Sequence, residues 1–141
     1  VTEKSGTTTD AYGLRPTLVY TAGALTVRAG VESYKKNNVS YSGTGVSVGY
    51  ALSSSASMNV NYGKNSDLDS TSVGLNAVFG DAGVGMVQDK TGANKATTYY
   101  AAYSFPLLGV KGATITPALS TSKATGVDNL NAFKVRLNYA F

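Results

Sequence analysis

The sequence predicts an all-β protein, an antiparallel up-and-down sheet rolled into a barrel that crosses a membrane. Three observations carry this. Apolar residues recur at every second position in about nine segments, the period of a strand with two unlike faces. The face between them is small, polar or charged, too sparse to pack a dry core. Large aromatics gather at both ends of the apolar faces, as at the two interfaces of a bilayer.

Taken in order, the first strand has Tyr12, Leu14, Pro16, Leu18 and Tyr20 on the apolar face and Gly13, Arg15 and Thr17 on the other. Leu25, Val27, Ala29 and Val31 follow, against Thr26, Arg28, Gly30 and Glu32. The third has Val46, Val48, Tyr50 and Leu52; the fourth has Ala56, Met58, Val60 and Tyr62; the fifth has Val73, Leu75, Ala77 and Phe79. A Gly-rich sixth offers Ala82, Val84 and Met86. The seventh offers Tyr99, Ala101, Tyr103 and Phe105, and the eighth Ala113, Ile115, Pro117 and Leu119. The last strand has Phe133, Val135, Leu137, Tyr139 and Phe141 opposite Ala132, Lys134, Arg136, Asn138 and Ala140. No segment has a 3.6-residue period, so no helix is expected.

Connections are expected to alternate in length. Short ones are Ala22-Gly23, Ser53 to Ser55, Gly80-Asp81 and the turn from Leu107 to Lys111. Long polar ones are Lys35 to Tyr41, Lys64 to Ser70, Asp89 to Ala96 and Ser122 to Asn129. Tyr20, Tyr50, Phe79, Tyr103, Phe105, Tyr139 and Phe141 lie toward the short turns, and Tyr12, Tyr62, Tyr99 and Phe133 toward the long loops. These rings are the expected aromatic girdle.

Composition narrows the function classes. With 14% charged residues and 10 Tyr among 141 residues, the chain is unlike a disordered one. No apolar run approaches the ~18 residues of a membrane-spanning helix, which leaves strand-built membrane proteins untouched. Zero His and zero Cys remove the commonest base, metal ligand and thiol chemistry, so neither enzyme, cofactor nor metal site is expected. Asp67-Leu68-Asp69 has too few ligands for a Ca²⁺ loop. The net charge of +4 is scattered and does not imply a nucleic-acid partner.

The ending Phe133, Val135, Leu137, Tyr139, Phe141 resembles the C-terminal strand signature of Gram-negative outer-membrane β-barrels. In that superfamily the last strand is read by the barrel-assembly machinery. The Tyr- and Gly-rich meander is similar to the trimeric general porins over essentially the whole chain. The resemblance implies a passive diffusion channel for small hydrophilic solutes and ions in the bacterial outer membrane, sixteen-stranded and homotrimeric. Its partners would be outer-membrane lipid and lipopolysaccharide. With the C-terminus periplasmic, as in that family, residues 1–10 fall in an extracellular loop and 11–141 are the C-terminal strands. An N-terminal remainder would complete the barrel, since an odd count of nine leaves the two ends on opposite sides. The competing reading is a miscount of one strand near Tyr34 to Ser42 or Gly80 to Met86.

Arg15, Arg28, Lys134 and Arg136 point to the polar face, with Glu32 as the one clear acid there. Lining a pore, they would favour anions; alternatively they pair with acids on strands or a loop outside this chain. Lys35, Lys36 and Lys64, near the outer rim, either touch lipopolysaccharide phosphates or are ordinary exposed lysines. The competing architecture is a small, closed, eight-stranded outer-membrane barrel with a structural, adhesin or binding role, its interior plugged by its own charge pairs.

Overall fold

Two-residue turns and alternating strands leave the chain few options but to meander, and it does. The computed structural model describes residues 2–5, 9–36 and 39–140. They form one antiparallel sheet of β1 (Thr2–Ser5), β2 (Thr9–Leu14), β3 (Thr17–Ala22), β4 (Leu25–Lys36), β5 (Val39–Ala51), β6 (Ala56–Asn65), β7 (Ser70–Phe79), β8 (Ala82–Thr91), β9 (Asn94–Tyr103), β10 (Phe105–Pro106), β11 (Ala113–Ala124) and β12 (Val127–Tyr139). Among the described residues there is no helix.

β2 and β3 are two halves of one strand, both paired to β4. Pro16 breaks it because proline has no N–H to donate, while its carbonyl still accepts from the Val31 N–H at 3.2 Å. β9 and β10 likewise share β11, interrupted at Ser104. Counting β2–β3 and β9–β10 as one strand each, every pairing is between sequence neighbours. The nine expected strands are therefore all present. β1 adds a tenth position: Thr2–Ser5 pairs with β2, where no strand was expected before Ala11.

The expected long loops are corrected. Strands run on through them, leaving residues 92–93 between β8 and β9 and 125–126 between β11 and β12. Beyond the apolar band both faces are polar, so alternation fades while the hydrogen-bond ladder continues. At Gly80 and Gly92, one at each end of the sheet, φ is 59° and 56°. Glycine in the first central place is what a two-residue hairpin turn with the twist of its strands requires. Only the β6–β7 connection, residues 66–69, is a longer loop at that end among the described residues.

No core exists in the usual sense. Ala77 and Ala113 are the only buried hydrophobic residues among those described. The accessible surface is 10353 Å², whereas a globular chain of 14.5 kDa would show about 6,900 Å². Leu18 (72% exposed), Leu137 (67%) and Phe133 (66%) stand on an apolar face with no protein against it. A contiguous apolar surface of that extent demands another apolar phase.

Strand tilt follows from how the apolar band drifts across the ladder. From Leu25 at a short turn, the partners run Tyr50, Met58, Ala77, Val84, Ala101, Leu119 and Phe133. The equivalent edge of β12 is Tyr139, six residues beyond Phe133. A drift of ~20 Å across seven spacings totalling ~34 Å corresponds to a tilt of about 30°. Membrane barrels tilt their strands by a similar amount. At that tilt, strands of ten to thirteen residues (β4 to β9, β11 and β12) are long enough to cross an apolar band ~25 Å tall.

Candidate channel wall

Strand register places the ten girdle aromatics within the described residues on the apolar face. Tyr20 lies opposite Val27, Tyr50 opposite Leu25 and Met58, Tyr62 opposite Val46 and Val73, and Phe79 opposite Ala56 and Ala82. Tyr99 faces Met86, Tyr103 faces Ala82 and Phe105 faces Ile115, while Tyr12 pairs with Lys35. Corrected for tilt, Tyr62, Tyr99 and Phe133 share a level roughly six residues above the short-turn edge, where Tyr50, Phe79, Phe105 and Tyr139 lie. Tyr12 sits higher, among the lysines. Tyr103 and Phe105 pack with tilted rings, their centroids 4.6 Å apart. Phe133, Val135, Leu137 and Tyr139 share the same face of β12; Phe141, the last residue of the expected assembly signature, lies outside the described residues.

The opposite face holds Arg15, Arg28, Glu32, Lys134 and Arg136 together. Arg15 Nη2 lies 2.7 Å from Glu32 Oε1, the one ion pair among the described residues. With side chains 76% and 43% exposed, such a pair is worth about 0–1 kcal/mol and serves to cancel charge rather than to hold the fold. Arg28 lies opposite Val19 and Ser47, Lys134 opposite Ala118, and Arg136 opposite Thr116, none of them acidic. Arg28 stands three residues above Leu25 and Arg136 three above Tyr139, so the two guanidinium-bearing residues share one depth.

Between these cationic strands the wall is small and neutral. Gly43, Gly45, Ser47 and Gly49 line β5; Asn59, Asn61 and Gly63 line β6; Ser72, Gly74 and Asn76 line β7. A shallow concavity of ≈ 430 Å³ is bordered by Arg15, Glu32, Gly43, Gly45, Gly63 and Ser72. Side chains here lie along the wall. Thr98 and Ser122 hydroxyls are 2.8 Å apart, as are those of Ser104 and Thr116.

Four longer side chains lie over the glycine directly opposite. A Cβ on Gly49 would fall 2.6 Å from Asn59 Oδ1, and one on Gly13 3.1 Å from the Tyr34 ring. Asn61 over Gly74 and Tyr100 over Gly85 are closer still. Glycine thus makes recesses that hold these groups out of the open space.

Several polar-face residues escaped the sequence reading. Asp89 lies opposite Ser72 and Ala96 on this face, hidden because β8 was expected to end near Met86. Tyr34 and Tyr41, ring centroids 6.3 Å apart, also face this way. Lys36 shares their face, whereas Lys35 and Lys64 are on the apolar side. Asp67 accepts from both the backbone N–H and the hydroxyl of Ser42, while Asn65 Oδ1 accepts from the N–H groups of Asp67 and Leu68 at 3.1 and 3.0 Å. That loop is latched to β5. Among the described residues, no three His, Cys, Asp or Glu side chains cluster as a metal site would need.

No known protein-family profile matches the sequence, and no curated protein matches it. Solved structures do. A structure described as "KdgM porin in complex with disordered oligogalacturonate" superimposes with a TM-score of 0.52 at 10% identity, covering 99% of this chain and 81% of that one. A second, "KdgM porin", gives 0.55 at 11% identity, covering 96% and 78%. At such identity the likeness concerns the fold alone, an antiparallel β-meander that this chain shares with these porins.

Proposed function

We propose that the chain forms the wall of an outer-membrane channel through which small hydrophilic solutes and ions diffuse passively. One observation carries this: the sheet turns a continuous apolar face to its surroundings and a small, polar, cation-bearing face the other way, with no core between. Only a lipid-facing exterior and a watered interior satisfy both faces at once. The porin-like fold of the structural neighbours supports the same reading.

Anionic solutes are the favoured class. Among the described residues, Arg28, Lys134 and Arg136 have no acidic register partner, and the one inner-face ion pair cancels Arg15 against Glu32. One neighbour was solved with oligogalacturonate, a polyanion. The closed barrel is proposed to hold about twelve strands. Nine spanning strand positions cover roughly four fifths of the neighbours' length, and membrane barrels of this kind have even strand numbers. That number suits the neighbours better than the sixteen of general porins.

Planar-bilayer recording of the intact barrel in a salt gradient tests the reading. Ohmic steps with an anion-selective reversal potential are expected. Steps in threes indicate a trimer and single steps a monomer. Silence from folded, inserted protein overturns the channel in favour of a closed, plugged barrel.

A further inference from the structure

The apolar face ends, on the side away from the short turns, in a row of lysines. Lys64 lies opposite Thr44 and Thr71, Thr71 opposite Lys90, and Lys90 directly opposite Lys95. Lys123 lies opposite Thr97, two residues along β9 from Lys95. All four share the outward face with Tyr62, Met86 and Tyr99, and all four are exposed. Corrected for the ~30° tilt, they lie about eight to ten residues from the short-turn edge, just beyond the Tyr62, Tyr99 and Phe133 level.

Few acids balance them. Glu32 and Asp89 face inward and Asp67 is held by Ser42. Asp69 lies in the connection before β7 and Asp128 in the irregularity across from Lys123. The sole ion pair among the described residues is nevertheless Arg15–Glu32, so none of the four lysines is ion-paired. Like charges placed directly opposite in a ladder repel, and Lys90 and Lys95 are so placed. An anion between them turns that repulsion into attraction. Its position, on the lipid-facing side at the edge of the apolar band, is the level of lipid headgroups.

We infer that Lys64, Lys90, Lys95 and Lys123 form a binding surface for the phosphate groups of anionic lipid headgroups in one leaflet. The geometry also sets the membrane orientation: the Gly92 and Gly126 turns lie on the side of the phosphate-rich leaflet. The inference rests on the lipid-facing assignment of the apolar face and does not need the channel to conduct.

The test uses the intact barrel in phosphatidylcholine vesicles containing ~10 mol% diphosphorylated lipid A, followed by gentle extraction and native mass spectrometry. Wild type should retain lipid A but not its dephosphorylated form. A K64Q/K90Q/K95Q/K123Q variant should retain at least roughly tenfold less, each headgroup-level lysine contributing several-fold. The fourfold Lys→Arg variant should retain it, and millimolar inorganic phosphate should not displace it. Should the fourfold Gln variant fail to fold, K90Q/K95Q alone carries the comparison. Undiminished retention in the Gln variants, equal retention of the dephosphorylated lipid, or displacement by free phosphate overturns the inference. Conductance in pure phosphatidylcholine, unchanged in the variants, separates this failure from failure of the channel reading. Failure of wild type to insert sinks both.

Discussion

Gly74 and Gly85 make a matched pair whose substitution by alanine should have unlike costs. At Gly74 the three atoms nearest a new Cβ all belong to the amide end of Asn61. Asn61 can rotate to another staggered rotamer, losing a few contacts of ~0.1–0.2 kcal/mol each. Replacing a strand glycine returns about 0.5–1 kcal/mol. Gly74→Ala should therefore lie within about 1 kcal/mol of neutral. At Gly85 the Cβ meets the Tyr100 ring and also the Leu75 carbonyl oxygen at 2.9 Å. Rotation of Tyr100 cannot relieve a backbone clash, so Gly85→Ala should cost about 1–3 kcal/mol. Most of that cost should persist in Tyr100→Ser/Gly85→Ala. Equilibrium urea unfolding from lipid vesicles, followed by tyrosine fluorescence and the mobility of unboiled protein on gels, reads both. Equal costs at the two glycines, or complete rescue of Gly85→Ala by Tyr100→Ser, would refute this account. Channel recordings add a second readout: Gly74→Ala swings Asn61 inward and lowers conductance, and Asn61→Ala restores it.

Val135→Arg puts a charge on the lipid face between Phe133 and Tyr139 and should destabilise the inserted barrel by about 2–4 kcal/mol. The neighbouring Lys134→Val, on the other face, should leave insertion efficiency unchanged in the same vesicle assay. Arg28→Ser with Arg136→Ser should move the reversal potential toward cations, and a shift toward anions would contradict their placement in the lumen. Asp67→Ala frees the loop at residues 66–69 from Ser42, so hydrogen exchange at the Ser42 amide should quicken roughly tenfold. Unchanged exchange would show that the latch is idle in solution.

Face assignment was legible from the sequence because period-two alternation reports it without knowing any partner strand. Leu25 to Val31 and Phe133 to Tyr139 each encode which residues share the apolar face, and the register aligns them with the apolar faces of the neighbouring strands. Strand ends were not legible. From Gln88 to Thr97 both faces are polar, so nothing in the pattern distinguishes a ladder above the membrane from a loop. Asp89, Lys90 and Lys95 were consequently left off the strands. Recesses such as Gly74 beneath Asn61 depend on which residues of two strands come opposite each other. That is fixed by turn length, and a single strand's pattern does not contain it.

The size of the inner side chains bears on whether the interior is open or plugged. The twelve strands proposed, spaced ~4.8 Å apart and tilted about 30°, would enclose a backbone radius of roughly 11 Å. Glycine and serine on β5 and β7 reach only a few ångströms inward, and Asn59, Asn61 and Tyr100 lie flat over Gly49, Gly74 and Gly85. A plugged barrel needs interlocking opposite charges across its middle, and among the described residues of this face the single ion pair is Arg15 with Glu32, adjacent on one wall. Long cationic side chains on this face are Arg15, Arg28, Lys36, Lys134 and Arg136; Arg15 is held by Glu32, Arg28 and Arg136 lie at one depth, and Lys134 lies two residues above them. Among the described residues no connection exceeds the six residues 107–112, and that one lies at the short-turn edge, away from this level. In the proposed channel, the level of Arg28, Lys134 and Arg136 would select by charge more than by bulk.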